Sequence, residues 1–84
     1  VELGPDALLG TRGAGLRQAL AALDGGRIGM AAMGVGLAEG AHALALAHAR
    51  RRRQFGRALV GFQAIQFQLA EMAAEIEAAR GLLH

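Results

Sequence analysis

The run FQAIQFQLAEMAAEIEAARGLL, residues 62–83, decides the fold class. Phe62, Ile65, Leu69, Met72, Ile76, Ala79 and Leu83 recur there at alternating steps of three and four. A backbone that turns once per about 3.6 residues places such positions on one stripe. Gln66, Glu71, Glu75 and Arg80 fall on the other faces. The pattern predicts an amphipathic helix from about Phe62 to the end of the chain, its apolar stripe laid against a partner helix.

The partner lies upstream. Residues from about Arg27 to Arg52 are rich in Ala and Leu, both strong helix formers. As a helix they would extend about 39 Å at about 1.5 Å per residue. Gly29, Gly34, Gly36 and Gly40 interrupt this stretch. Each costs up to about 1 kcal/mol against Ala, a poor choice unless another backbone approaches closely. Arg50-Arg51-Arg52-Arg53 suits the helix end, where carbonyls carry partial negative charge. Gly56 then supplies a turn, and a loop through Gly61 leads into the last helix. A short connection between two long helices predicts an antiparallel pair.

Further upstream, Leu16, Ala19, Leu20 and Leu23 share the helical spacing. They predict a short first helix from near Ala14, stopped at Asp24-Gly25-Gly26 because Gly commonly ends helices. Asp24 would then cap the helix that follows. Val1 to Gly15 holds Gly4, Pro5, Gly10, Gly13 and Gly15, a density of breakers that reads as a linker. The expected class is all-α: an up-and-down bundle segment of short helix, long helix and long antiparallel helix.

Composition narrows the possibilities. With 84 residues the chain holds one small domain at most. Hydrophobic residues make up 54% and β-branched residues are few, so a sheet lacks its usual material. All nine basic residues are Arg, and the net charge is only +2. The absence of Cys excludes a disulfide framework and a thiol nucleophile, and it fits a cytoplasmic protein. The N-terminus carries Glu2 and Asp6 and shows no basic leader. Pro5 and its neighbours read as an incoming segment, and the last helical pattern reaches His84 without a stop signal, so a fragment is expected. Ile28 to Ala49 is long enough to span a bilayer, but Glu39, His42 and His48 interrupt it. A charge at mid-helix costs about 2.5–3.5 kcal/mol on insertion, so no membrane insertion is expected.

Two clusters can carry chemistry. The Arg50–Arg53 run reads as a solvated helix end or as a phosphate site, because a guanidinium donates two parallel hydrogen bonds. No second basic stripe or aromatic platform supports nucleic-acid binding. Asp24-Gly25-Gly26-Arg27 reads as a cap beside an exposed Arg, or as a place where a ligand can approach the backbone. His42 and His48 are six apart, off a common helix face and without a third ligand, so no metal site is expected. No Ser-His-Asp set, P-loop or GxGxxG occurs.

In order along the chain stand Leu23-Asp24-Gly25-Gly26-Arg27-Ile28-Gly29, Arg52-Arg53-Gln54-Phe55-Gly56 and Phe62-Gln63-Ala64-Ile65-Gln66-Phe67. Leu69-Ala70-Glu71-Met72 and Glu77-Ala78-Ala79-Arg80 follow. This ordered set, with Leu8-Leu9-Gly10 and Gly13-Ala14-Gly15 ahead of it, resembles the acyl-CoA dehydrogenases over nearly the whole chain. The resemblance implies residues 1–13 as a linker from a preceding β-domain. It implies residues 14–84 as the front of a C-terminal four-helix-bundle domain.

The family removes a proton from the α-carbon of an acyl-CoA thioester and passes a hydride from the β-carbon to FAD. By position, Arg52 would be the flavin-phosphate ligand, with Gln54 and Phe55 beside it and Gln63 on the adenosine side. These groups would act on the FAD of a neighbouring subunit, implying a dimer or a tetramer built from dimers. Asp24, Gly25, Gly26 and Arg27 would line the acyl-CoA site, and electron-transfer flavoprotein would be the electron acceptor. Some members carry the catalytic Glu where this chain has Gly26, which implies a base outside this stretch. Position 51 is Arg where acidic residues are common in the family. The resemblance therefore implies no catalysis by this piece alone. The other expectation is a non-catalytic helical oligomerisation module with a degenerate flavin site.

Overall fold

The computed structural model describes residues 1–84. Two helices carry the chain: α1, Gly15–Arg51, and α2, Gln63–Leu83. Between them β1, Arg53–Gln54, pairs antiparallel with β2, Arg57–Ala58, and a 3-10 turn, Leu59–Gly61, leads into α2. Another 3-10 turn, Pro5–Ala7, lies in the N-terminal segment. The class is all-α and the long helices run antiparallel, with His42 of α1 meeting Leu69 of α2 and Glu39 meeting Arg80.

The expected break at Asp24-Gly25-Gly26 is absent, and α1 passes through it as one helix. Gly ends a helix by entering the left-handed region. Here only Gly10, Gly13 and Gly56 have positive φ among the glycines. Gly25 and Gly26 keep helical backbone between Ala- and Leu-rich flanks, and their cost of about 1 kcal/mol each is absorbed by a long cooperative ladder. Asp24 is consequently no cap, because the N–H groups after it lie inside the helix.

The helices touch only over the second half of α1. Ala49, at 4% exposure, and Leu69, at 9%, are the two buried residues. Phe62, Ile65, Ile76, Ala79 and Leu83 are half-buried, as their stripe predicts. Met72 departs from it and is exposed, while the adjacent Ala73 is half-buried. Arg80 also departs from expectation. Its Nε donates to Oε1 of Glu39 at 2.8 Å, a terminal nitrogen reaches the same oxygen, and Nη1 donates to Oε1 of Glu77 at 2.7 Å. The Glu39 hydrogen bond and charge, then the Glu77 charge, raise the Arg80 pKa above its ordinary value. A raised pKa on a cation means that, on the alkaline side, its contribution is lost only as pH rises through that value, in strong alkali. His42 ties the middle of the pair, its Nε2 donating to the Leu69 carbonyl at 3.0 Å.

Two expectations for α1 are not met within this chain. Leu16, Leu20 and Leu23 are spaced for burial but stand 76%, 53% and 63% exposed. A methyl group added at Gly29, Gly34, Gly36 or Gly40 would meet nothing within 4 Å, so no backbone closes on them. For the three leucines the reason is length: α1 has 37 residues and α2 has 21. At about 1.5 Å per residue the shorter helix leaves about 24 Å of the longer one bare. The molecule is accordingly elongated, 73 × 27 × 15 Å. By length and apolar content alone α1 is also of membrane-spanning size, with Glu39 in its middle committed to Arg80.

Candidate functional site

The chain leaves α1 at Arg52, whose backbone turns extended (φ −71°, ψ 130°) while its N–H still donates to the His48 carbonyl. A hairpin forms here in place of the expected loop. Arg53 pairs with Ala58 and Gln54 with Arg57, so Phe55 and Gly56 alone make the reversal. Their φ values are 50° and 80°. Positive φ at both central residues defines a type I′ turn, whose twist matches that of the paired strands. Gly56 meets this demand without strain, but Phe55 does not. A left-handed backbone costs an ordinary residue about 1–2 kcal/mol, and a bulky one rarely adopts it.

Several contacts hold the strained tip. Arg53 Nη2 donates to the Gly56 carbonyl at 3.0 Å, and the Leu59 N–H closes the base of the hairpin on the Arg52 carbonyl at 2.8 Å. Gln66 Nε2 donates to the Val60 carbonyl at 2.9 Å, joining the 3-10 turn to α2. The Phe55 ring meets Phe62 edge-on, with centroids 6.4 Å apart and planes at 75°. Phe55 nevertheless remains 92% exposed. Replacing it with Asn, the preferred partner of Gly in such a turn, removes strain and also the edge contact, worth about 0.5–1.5 kcal/mol. Phe55→Asn is therefore expected to leave the hairpin as stable as before, or up to about 1 kcal/mol more stable, in native-state hydrogen exchange. A large loss of protection would show that the ring, and not the backbone, dominates.

This geometry divides the arginines by task. Arg53 is engaged with Gly56, and Arg57 stacks its guanidinium 4.2 Å from the centroid of the Phe62 ring. Arg52 and Gln54 are exposed and make no side-chain hydrogen bond within the chain. Two apart on extended backbone, they project to the same side of the ribbon. Gln63, also exposed, opens α2 just after Phe62. The candidates Arg52, Gln54, Phe55 and Gln63 thus gather at one end of the helix pair. Arg50, Arg51, Arg52, Arg53 and Arg57 lie here, and no acidic residue occurs between Glu39 and Glu71. The corner combines concentrated positive charge with unengaged planar donors, a set suited to phosphate oxygens. The candidates Arg52, Gln54, Phe55 and Gln63 include no nucleophile and no general base.

The other candidate cluster is elsewhere. Asp24, Gly25, Gly26 and Arg27 are exposed in the bare half of α1. Leu23, Gly26, Arg27 and Met30 line one shallow depression there. Methyl groups at Gly25 and Gly26 would point into open space. With about 1.5 Å of rise per residue, Arg27 and Arg52 stand about 37 Å apart along the helix. The roles of the Phe55 backbone and the Arg57 stack are invisible to periodicity. The one available signal was the Gly at position 56, which permits a two-residue reversal that Phe55 disguises.

The family model described as "Acyl-CoA dehydrogenase, C-terminal domain" matches residues 13–84. The chain belongs to the acyl-CoA dehydrogenase family. Among similar proteins, the short-chain-specific acyl-CoA dehydrogenase of Megasphaera elsdenii is 46% identical over 84 residues, covering 100% of this chain and 22% of that protein. The probable acyl-CoA dehydrogenase YngJ of Bacillus subtilis (strain 168) is 51% identical over 76 residues, 90% of this chain and 20% of its own length. The acryloyl-CoA reductase (NADH) of Anaerotignum propionicum is 45% identical over 76 residues, with shares of 90% and 19%. The chain spans about a fifth of the length of each of these relatives.

Proposed function

We propose that this chain is part of a flavin-dependent acyl-CoA dehydrogenase and supplies residues to its FAD and acyl-CoA sites and to its subunit interface. The observation that carries the reading is the arginine-rich hairpin, where Arg52 and Gln54 share one side of the ribbon without partners in the chain. The donor set fits FAD, because a fork of guanidinium N–H groups matches pyrophosphate oxygens and an amide can both donate and accept. When bound, FAD accepts the hydride from the thioester's β-carbon. In this reading Arg52 binds a flavin phosphate, Gln54 and Phe55 flank it, and Gln63 faces the adenosine side. Asp24, Gly25, Gly26 and Arg27 line the acyl-CoA site.

The separation of about 37 Å along α1 supports assembly. Clusters so far apart on one straight element are suited to different active centres, one of them across a subunit boundary. The bare apolar face of Leu16, Leu20 and Leu23 is of the kind that buries against another surface. We read the parent enzyme as a dimer or a tetramer of dimers that hands its electrons to electron-transfer flavoprotein. The same bare face favours the second reading, an oligomerisation module that has lost its flavin. In the first, the purified full-length protein shows flavin absorbance that a short-chain acyl-CoA bleaches anaerobically. A protein that stays colourless after incubation with FAD overturns it.

A further inference from the structure

Arg57 has no part in the proposed ligand set, yet its side chain has a partner at the corner. Its guanidinium lies 4.2 Å from the centroid of the Phe62 ring. Its stem crosses Gly61, where Cδ would come within 3.6 Å of an added methyl carbon. The Phe62 ring also makes a T-shaped contact with Phe55, the residue with the strained backbone. Arg57 pairs in turn with Gln54 across the hairpin, while Arg53 fastens the Gly56 carbonyl. A ribbon of two residues per strand is too short to hold its own shape in water. Its conformation depends on what anchors it to α2.

From this arrangement we infer that Arg57 is a positioning residue for the flavin corner: stacked on Phe62, it clamps β2 to the start of α2 and so fixes the side of the ribbon that carries Arg52 and Gln54. The inference rests on the flavin reading above. Arg57 touches no phosphate. It lowers the conformational cost of presenting the residues that do, since groups ordered before binding lose less freedom on binding.

The test is made on the full-length enzyme, with FAD itself as the probe of its apoprotein. Arg57→Ala is expected to weaken FAD binding about two- to five-fold, the range of an exposed cation–π pair. It is also expected to raise amide exchange across residues 53–59 while α1 and α2 keep their protection. Arg57→Lys, which retains a cation over the ring, restores both. Phe62→Leu loses at least as much, because it also removes the contact with Phe55, and the double variant Arg57→Ala, Phe62→Leu loses no more than Phe62→Leu alone. Additive losses, or an Arg57→Ala protein with wild-type FAD affinity and hairpin exchange, would overturn the inference. Arg52→Ala separates the two ideas. If it weakens FAD binding and Arg57→Ala does not, only the positioning role fails. If neither does, the flavin reading fails with it.

Discussion

Alanine at position 52 is expected to weaken FAD binding by the full-length enzyme about ten- to a hundred-fold while leaving subunit assembly intact. A hydrogen bond to a charged group contributes about 1.5–3 kcal/mol, and each 1.4 kcal/mol is a factor of ten. The side chain of Arg52 is exposed and makes no hydrogen bond in the chain. Its structural work is done by the backbone, which donates to His48 and accepts from Leu59, and alanine keeps both bonds. An exposed change of this kind alters stability by no more than about 0.5 kcal/mol, so the effect on FAD is separable from unfolding. Lysine at the same position should recover only part of the affinity, because an ammonium cannot reproduce the paired donors of a guanidinium. The measurements are FAD titration of the apoprotein and mass by light scattering. Unchanged affinity with unchanged mass would instead favour the oligomerisation module.

The second large effect concerns the helix pair itself. Leu69→Ala is expected to destabilise the domain by about 2–3 kcal/mol, seen as a lower urea midpoint with an unchanged slope. Removing a buried leucine side chain costs about 2–5 kcal/mol, and the lower part of the range applies where the surroundings can close in. Leu69 is one of only two buried residues, at 9% exposure, so few neighbours hold the cavity open. Its carbonyl also accepts from His42, a bond the substitution leaves in place. A loss below about 0.5 kcal/mol would mean that the contact between α1 and α2 contributes little beyond what covers them in the assembled protein.

What could be read without coordinates follows the range of each force. The helical stripe of residues 62–83 is legible because its period is a property of local backbone geometry. The antiparallel pairing is legible too, since a short connection leaves two long helices no other arrangement. The candidate residues Arg52, Gln54, Phe55 and Gln63 were named by resemblance, and the structure places all of them at one end of the pair. Asp24-Gly25-Gly26 misled because its residue types stop a helix only if the backbone turns left-handed, and the cooperative ladder of α1 keeps it right-handed. Arg80 misled because its position off the apolar stripe does not tell that Glu39 waits across the interface.

The sequence by itself determined the class, the two long helices and the concentration of arginine where they meet, because propensity, periodicity and charge act over a few residues. Only the tertiary structure decided that α1 is unbroken, that Phe55 bears a left-handed backbone, and that Arg53 and Arg57 are engaged internally while Arg52 stays available. Those outcomes depend on contacts between separate segments and on the cooperativity of a long helix, and neither has a period or a composition to betray it.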